Sequence, residues 1–173
     1  MSLAISSHDK QKHLSASINT LCFTASASTL VTTYTGLHML THTLKSILLA
    51  HIPAAGRAQA FYDFLEAPAA TAYDFLLQLS GAPRKLGRQV LPYSEDQMAQ
   101  LRELDPALHE ISAGNLGRVL LAIICPNPSA LHEILLRGDD FEKACVLMAL
   151  PFRDDAADFH LDAVNVCRTN SLD

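Results

Sequence analysis

The chain has 173 residues, an apolar fraction of 49% and a mean hydropathy of +0.16, which together are typical of one globular domain with a substantial core. Its formal net charge is −5, and the whole excess lies in residues 119–173, where nine Asp and Glu stand against four Lys and Arg. This acidic balance argues against nucleic acid or an anionic membrane surface as partner, and no apolar run approaches the roughly 20 residues of a membrane span.

The beginning of the chain differs from the rest. Residues 1–33 show weak periodicity and many hydroxyl or β-branched side chains, so we predict a poorly ordered or divergent extension there. Residues 34–173 predict a single helical domain. Its first helix is indicated by apolar residues at helical spacing from Leu37 to Leu48, and Pro53 ends it.

A small duplication follows. The quartet Tyr-Asp-Phe-Leu occupies residues 62–65 and recurs at residues 73–76. With a proline between the copies, the pattern predicts two short helices, 55–66 and 69–80, the second closed by Gly81.

The later helices are predicted from their caps. Ser94 begins a capping box, Asn127 precedes a proline at a first helical position, and an aspartate follows Gly138. No strand alternation interrupts the series, so the sequence predicts an all-α fold of six to eight short antiparallel helices in a bundle or a solenoid-like stack. The later helices are expected at 95–104, from 112 or 115 to 125, 128–137, 140–150 and 154–168.

The segment APRKLGRQVL (82–91) concentrates positive charge. Pro83 is expected to exclude continuation of the preceding helix, and Gly87 to permit a turn. Two interpretations remain open, an anion-binding or carboxylate-binding loop and a plain loop whose cations pair with nearby helix carboxylates. The three cations lie within five residues: Arg84, Lys85 and Arg88.

No residue pattern marks a catalytic centre. Nucleotide-binding loops and the serine-hydrolase elbow are absent, and HMLTH at residues 38–42 has Met39 where a zinc protease motif needs glutamate. We therefore predict no catalytic residue, no metal and no cofactor, and the sequence favours a protein that is not an enzyme without deciding the point.

Four aspartates cluster at the start of the last predicted helix: Asp154, Asp155, Asp158 and Asp162. Such a cluster is typical of solvated charge, and the alternative is a site for a divalent cation or a basic partner.

Four cysteines are scattered, and none forms a CxxC pair. We interpret them as reduced core residues of a cytoplasmic protein, with metal ligation or a disulfide as the minor alternative. They are Cys22, Cys125, Cys145 and Cys167.

Two segments together resemble the EboA family. APRKLGRQVL is similar to that family's Pro-Arg-(Arg/Lys)-Leu-Gly segment, and DDFEKACVLMALPFRDDAADFHLDAVNVCRTN (139–170) is similar to its later signature. The resemblance covers roughly residues 60–170. It implies an all-α cytoplasmic protein encoded beside a UbiA-like prenyltransferase, a TatD-like hydrolase and sugar-phosphate cyclase-like and isomerase-like enzymes, and associated with making or exporting a specialised metabolite. The family has no assigned activity, so the implied function is that of a noncatalytic accessory or scaffold protein.

The resemblance also directs attention to particular residues. The matched positions are residues 83–87 in the first motif, and Leu150, Pro151 and residues 168–170 in the second. An alternative function is an enzyme or binding protein for a phosphorylated or prenyl-diphosphate compound, and a third interpretation makes Arg84 and Arg168 structural cations that pair with carboxylates. The candidates for binding an anion or a partner protein are Arg84, Lys85, Arg88, Arg168 and Asn170.

The sequence departs from the family pattern at both ends. The family continues past Arg-Thr-Asn with another helix, an Asn-Pro-Tyr-Pro turn and an Asn-Gln-Met segment, whereas this sequence stops at Asp173, and its first 50 or so residues match poorly. We expect a truncated and divergent member, whose uncovered apolar surface favours a homodimer or low stability.

Overall fold

A computed structural model describes residues 33–66 and 71–169. Within them the chain forms eight α-helices and two 3₁₀ turns, and it forms no β-strand, so the prediction of an all-α fold is confirmed. The predicted extension over residues 1–33 lies outside the described residues, apart from Thr33. None of the described helices is long and apolar enough to cross a membrane. The helices are α1 (Thr33–His51), α2 (Gln59–Glu66), α3 (Ala72–Leu86), α4 (Glu95–Leu104), α5 (Ala113–Ile124), α6 (Pro128–Arg137), α7 (Asp140–Ala149) and α8 (His160–Thr169), and the 3₁₀ turns are Leu150–Phe152 and Ala156–Phe159.

Side-chain caps start most of these helices where the sequence predicts. Ser112 caps α5, and Asn127 caps α6 with Pro128 in the first turn. In three helices the side chain of the N-cap residue accepts a hydrogen bond from the backbone N–H of the third helical residue. The side chain of that third residue accepts in turn from the backbone N–H of the N-cap residue, so two N–H groups at the helix start are satisfied. These capping boxes pair Thr71 with Asp74, Ser94 with Gln97, and Asp139 with Glu142.

Helix α3 does not end where the sequence predicts. It continues past Gly81 and through Pro83, and it ends only at Leu86, so the prediction that Pro83 excludes helix continuation is wrong. A proline inside a helix leaves the carbonyl four residues earlier without its usual donor. Here that carbonyl belongs to Leu79 and accepts from a side chain of α5 instead. Gly87 ends the helix with φ of +97°, a conformation that favours glycine.

Helix α5 is the centre of the domain. Ten of its twelve residues are buried, and it packs against α1, α3 and α7, none of which adjoins it in sequence. A helix buried on all sides must contact several partners, so the arrangement is a bundle around α5 and differs from a stack of successive neighbours. Gly114 allows the closest approach, because a Cβ there would lie 2.5 Å from Pro83 Cα and 2.8 Å from the Gly87 carbonyl oxygen.

Arg118 brings a charge into this core, with only 8% of its side chain exposed. Its Nε donates to the Leu79 carbonyl at 3.1 Å, and its Nη1 donates to Asn115 Oδ1 at 3.1 Å. Its Nη2 donates to Glu142 Oε1 at 3.3 Å, and Glu142 also accepts from Ser80 Oγ at 2.7 Å. Arg118 therefore satisfies the carbonyl that Pro83 leaves free and ties α3, α5 and α7 together.

The last helix starts later than predicted. The sequence predicts helix from 154, whereas α8 begins at His160, after the two 3₁₀ turns. The side chain of Arg153 holds Asp155 in a two-point ion pair, with Nε to Oδ1 at 2.7 Å and Nη2 to Oδ2 at 2.6 Å. This pair engages Asp155, one of the acidic residues expected at the start of the last helix, and the segment adopts a 3₁₀ turn instead.

Replacing Arg118 with Met tests the central network. The change leaves Glu142 as a buried charge without its cation and the Leu79 carbonyl without its donor, so we expect a loss of about 3 kcal/mol in the free energy of unfolding. Urea denaturation measures it. The matched control is Arg137→Met, since Arg137 pairs with Glu133 but its side chain is 74% exposed. The control should cost less than about 0.5 kcal/mol, and equal effects of the two variants would contradict the role given to Arg118.

Two glycine-to-alanine changes test the α3–α5 contact. We expect Gly114→Ala to lower the free energy of unfolding by about 1–3 kcal/mol, because the added Cβ meets backbone atoms that cannot move aside easily. At Gly81, in α3, the nearest atom to an added Cβ is Lys85 Cε at an ordinary 3.8 Å. Gly81→Ala should therefore raise stability by about 0.5–1 kcal/mol through helix propensity. Thermal and urea unfolding compare the two, and a stabilising Gly114→Ala would refute the close packing.

Candidate functional site

The predicted cations at the end of α3, which we call the basic turn (Arg84, Lys85 and Arg88), lie partly on the helix and partly beyond it. Arg84 and Lys85 occupy its last turn, and Arg88 follows Gly87. Arg84 and Arg88 are exposed and make no hydrogen bond or ion pair with the described residues. The interpretation in which Arg84 pairs with a carboxylate is therefore not met within the described part of the chain.

Lys85 differs from its two neighbours. Its side chain is half-buried and donates to the side-chain oxygen of Gln78, which lies on the same face of the helix about two turns earlier. Burial lowers the pKa of Lys85 from its ordinary value. Two of the three cations are thus fully available to a partner, and the third is anchored to its own helix.

The other two predicted residues lie elsewhere. Arg168 is exposed near the end of α8 and already interacts within the chain, and Asn170 lies outside the described residues. Helices α3 and α8 both pack against α6, but they make no extensive contact with each other in the described structure. Convergence of Arg168 with the basic turn therefore stays a prediction.

An exposed row of side chains leads up to the basic turn. Tyr73, Leu77, Ser80 and Arg84 are spaced by four, three and four residues, which places them on one face of α3. We call this row the α3 stripe. Tyr73 is 69% exposed and Leu77 is 58% exposed, so the row presents two large side chains to solvent. The hydrogen bond from Ser80 to Glu142 sets the stripe beside the start of α7, where Phe141 is also exposed.

A second polar cluster closes the C-terminal end of α5. Arg153 Nη1 donates to three carbonyl oxygens at that end, those of Ala122 (2.7 Å), Ile123 (3.1 Å) and Cys125 (2.9 Å). These carbonyls lack donors within the helix, and a cation also suits the negative end of the helix dipole. Only 8% of the Arg153 side chain is exposed. Its role is to cap α5.

His132 extends this cluster to α8. Its ring stacks on the buried Phe159 with centroids 4.3 Å apart, and its Nδ1 lies 2.5 Å from Asp162 Oδ2. The Arg153 guanidinium lies 5.9 Å from the Phe159 ring centroid. No group of three His, Cys, Asp or Glu residues in the described structure is arranged to hold a metal ion. Two of the four predicted acidic residues, Asp155 and Asp162, are thus engaged by internal cationic or imidazole partners.

The cysteines fall into two kinds. Cys125 and Cys145 are buried free thiols, as predicted. Burial raises the pKa of both, to about 12 at Cys145, so little reactive thiolate forms at neutral pH. Cys167, on α8, is only half-buried and already interacts within the chain, so it is not the buried free thiol that the sequence predicts. Cys22 lies outside the described residues.

A groove lies where α1 meets α4. Its volume is about 310 Å³. One pair of side chains spans the two helices there, since His51 Nε2 lies 3.0 Å from Gln97 Oε1. The lining residues are His42, Thr43, Ser46, Ile47, Gln97 and Gln100.

Sequence reasoning missed the two buried arginines and this groove. A signal for Arg118 exists, because it is the single charge in the apolar run AGNLGRVLLAII, and such a charge needs a buried partner. Arg153 carries no comparable local signal, since it looks like one more member of a charged segment. The groove joins two segments some fifty residues apart, so no local pattern reveals it.

Neither a family model, a curated protein nor a solved structure matches the chain. The resemblance of the two motifs to the EboA family therefore remains a prediction.

The Arg153–Asp155 pair predicts a pH dependence. Hydrogen bonds from Arg153 lower the pKa of Asp155 below its ordinary value of 3.8, against the opposing effect of burial. A lowered folded-state pKa adds stability that is fully present above pH 3.8 and is lost as pH falls through the folded value.

Asp155→Asn should therefore cost about 1 kcal/mol at neutral pH, and the difference from the unsubstituted chain should shrink below pH 3.8. Urea unfolding across this range measures it. Asp154→Asn, at the exposed neighbouring carboxylate, is the control and should change little. A difference that stays constant with pH would show that the ion pair does not stabilise the fold.

Proposed function

We propose that the chain is a noncatalytic accessory protein of a specialised-metabolite pathway, which binds a partner enzyme through the α3 stripe and the basic turn. The partner surface that fits is acidic with an apolar centre. The observation that carries the proposal is the pair of exposed arginines, Arg84 and Arg88, which lack any partner among the described residues and adjoin exposed Tyr73 and Leu77.

The composition of this surface supports a protein partner. Protein interfaces are enriched in tyrosine and arginine, which supply contact area and directed hydrogen bonds. An arginine side chain also binds carboxylates at two points, which sets the orientation of the partner. The apolar side chains of Tyr73 and Leu77 lose contact with water on binding, so the stripe offers both specificity and affinity.

Three other arginines are engaged within the fold. Arg118 and Arg153 are buried and fully engaged in holding helices together. Arg137 pairs with Glu133 on its own helix. The basic turn therefore places two exposed arginines, neither of them paired with a described residue, within five positions of a chain whose net charge is −5.

The proposal places the chain in the cytoplasm by resemblance.

Charge reversal tests the proposed interface. The chain is co-expressed with the prenyltransferase-like, hydrolase-like, cyclase-like and isomerase-like enzymes that the resemblance places beside it, and the affinity of each copurifying pair is measured by biolayer interferometry. We expect Arg84→Glu with Arg88→Glu to weaken binding at least about tenfold, because two attractive pairs become repulsive. Arg57→Glu is the matched control at an exposed arginine in the turn between α1 and α2, and it should leave binding unchanged.

Three results would overturn this assignment. They are the absence of binding to any of these enzymes, an equal loss in the Arg57 control, and turnover of a pathway substrate by the purified chain alone. A rise in the unfolding midpoint with pyrophosphate that Arg84→Glu removes would instead favour the alternative, an anionic small molecule at the basic turn.

A further inference from the structure

We infer that the groove between α1 and α4 is a binding site for a neutral, hydroxyl-rich small molecule of about monosaccharide size. This inference goes beyond the proposed function, because the groove uses none of the residues of the basic turn or the α3 stripe. Its six lining side chains are two amides, two hydroxyls, an imidazole and one isoleucine. None is a carboxylate, an ammonium or a guanidinium.

Gln97 is held in one orientation. Its Oε1 lies 3.0 Å from the Ser94 backbone nitrogen, and because a backbone N–H can only donate, the facing atom must be the oxygen. His51 Nε2 lies 3.0 Å from the same oxygen and is therefore the protonated nitrogen of its ring. The contact of His51 with Tyr93, ring edge to ring face at 6.0 Å, supports the imidazole from behind.

The consequence is a fixed donor at the groove. With its oxygen occupied twice, Gln97 keeps an amide nitrogen with two N–H donors and no partner among the described residues. Thr43, Ser46 and Gln100 add groups that both donate and accept, so the lining offers mixed hydrogen bonding along one wall. Ligand orientation at small-molecule sites depends on a few such groups held in place before binding.

The chemistry of the lining selects the class of ligand. Alcohol groups both donate and accept, and they match amide and hydroxyl side chains without any formal charge. None of the six side chains carries a permanent positive charge, so a phosphorylated or carboxylated ligand would give up hydration without gaining a fixed counter-charge. The volume of about 310 Å³ lies near the lower end of small-molecule sites, which suits a single ring with several hydroxyls.

The test uses the full chain and three probes in isothermal titration calorimetry: D-glucose, myo-inositol and glucose 6-phosphate. We expect saturable millimolar binding of at least one neutral probe and weaker binding of the phosphate. Gln97→Glu should reduce that binding at least about tenfold, since the carboxylate keeps the capping contact with Ser94 but removes the two donors.

Two further variants make the result specific. Ser46→Ala removes one lining hydroxyl at an exposed helical position, where alanine favours the helix, and it should also weaken binding. Gln89→Glu makes the same chemical change as Gln97→Glu at an exposed residue outside the groove, and it should have no effect. The inference is overturned by the absence of saturable binding of both neutral probes, by equal weakening in Gln89→Glu, by unchanged binding in Ser46→Ala together with Gln97→Glu, or by preference for the phosphate.

Discussion

One buried guanidinium, that of Arg118, connects the helices on which the rest of the fold depends. Pro83 lacks an N–H, so the Leu79 carbonyl in α3 is left without a helical donor inside the core. Arg118 supplies that donor from α5. A cation at this depth requires a counter-charge, and Glu142 provides it while also serving in the capping box of α7. Pro83 thus creates the need for a donor, Arg118 supplies that donor, and the buried charge of Arg118 requires Glu142.

The central position of α5 imposes a second requirement. A helix enclosed by its neighbours cannot leave its last carbonyls to water, so those carbonyls need a donor from within the protein. Arg153 donates to three of them and is held in place by Asp155. At the other end, Gly114 lets the helix lie directly against Pro83 and Gly87. The two buried arginines are therefore consequences of placing one apolar helix at the centre.

The segment Pro83–Arg88 serves the fold and the surface at the same time. Pro83 and Gly87 face α5 and determine how closely α3 approaches it. Arg84 and Arg88, which alternate with them, are exposed and bind no described residue. Packing thus holds the backbone beneath two free cations, and rigid presentation lowers the entropic cost of binding a partner. The two interpretations of this segment, structural turn and binding surface, apply to different residues within it.

The sequence by itself determined the all-α class and most helix starts, because a cap such as Ser94 acts on N–H groups only three residues away. It did not determine which copy of a repeated segment is buried. Tyr62 and Tyr73 begin identical quartets, yet Tyr62 is buried and Tyr73 is 69% exposed. Only the tertiary structure decided that α3 continues through Pro83, since the donor to the Leu79 carbonyl comes from Arg118, 39 residues later in the chain than Leu79. The same holds for the α1–α4 groove. Local hydrogen bonds can be inferred from local sequence, whereas partners of buried polar groups depend on which helices meet.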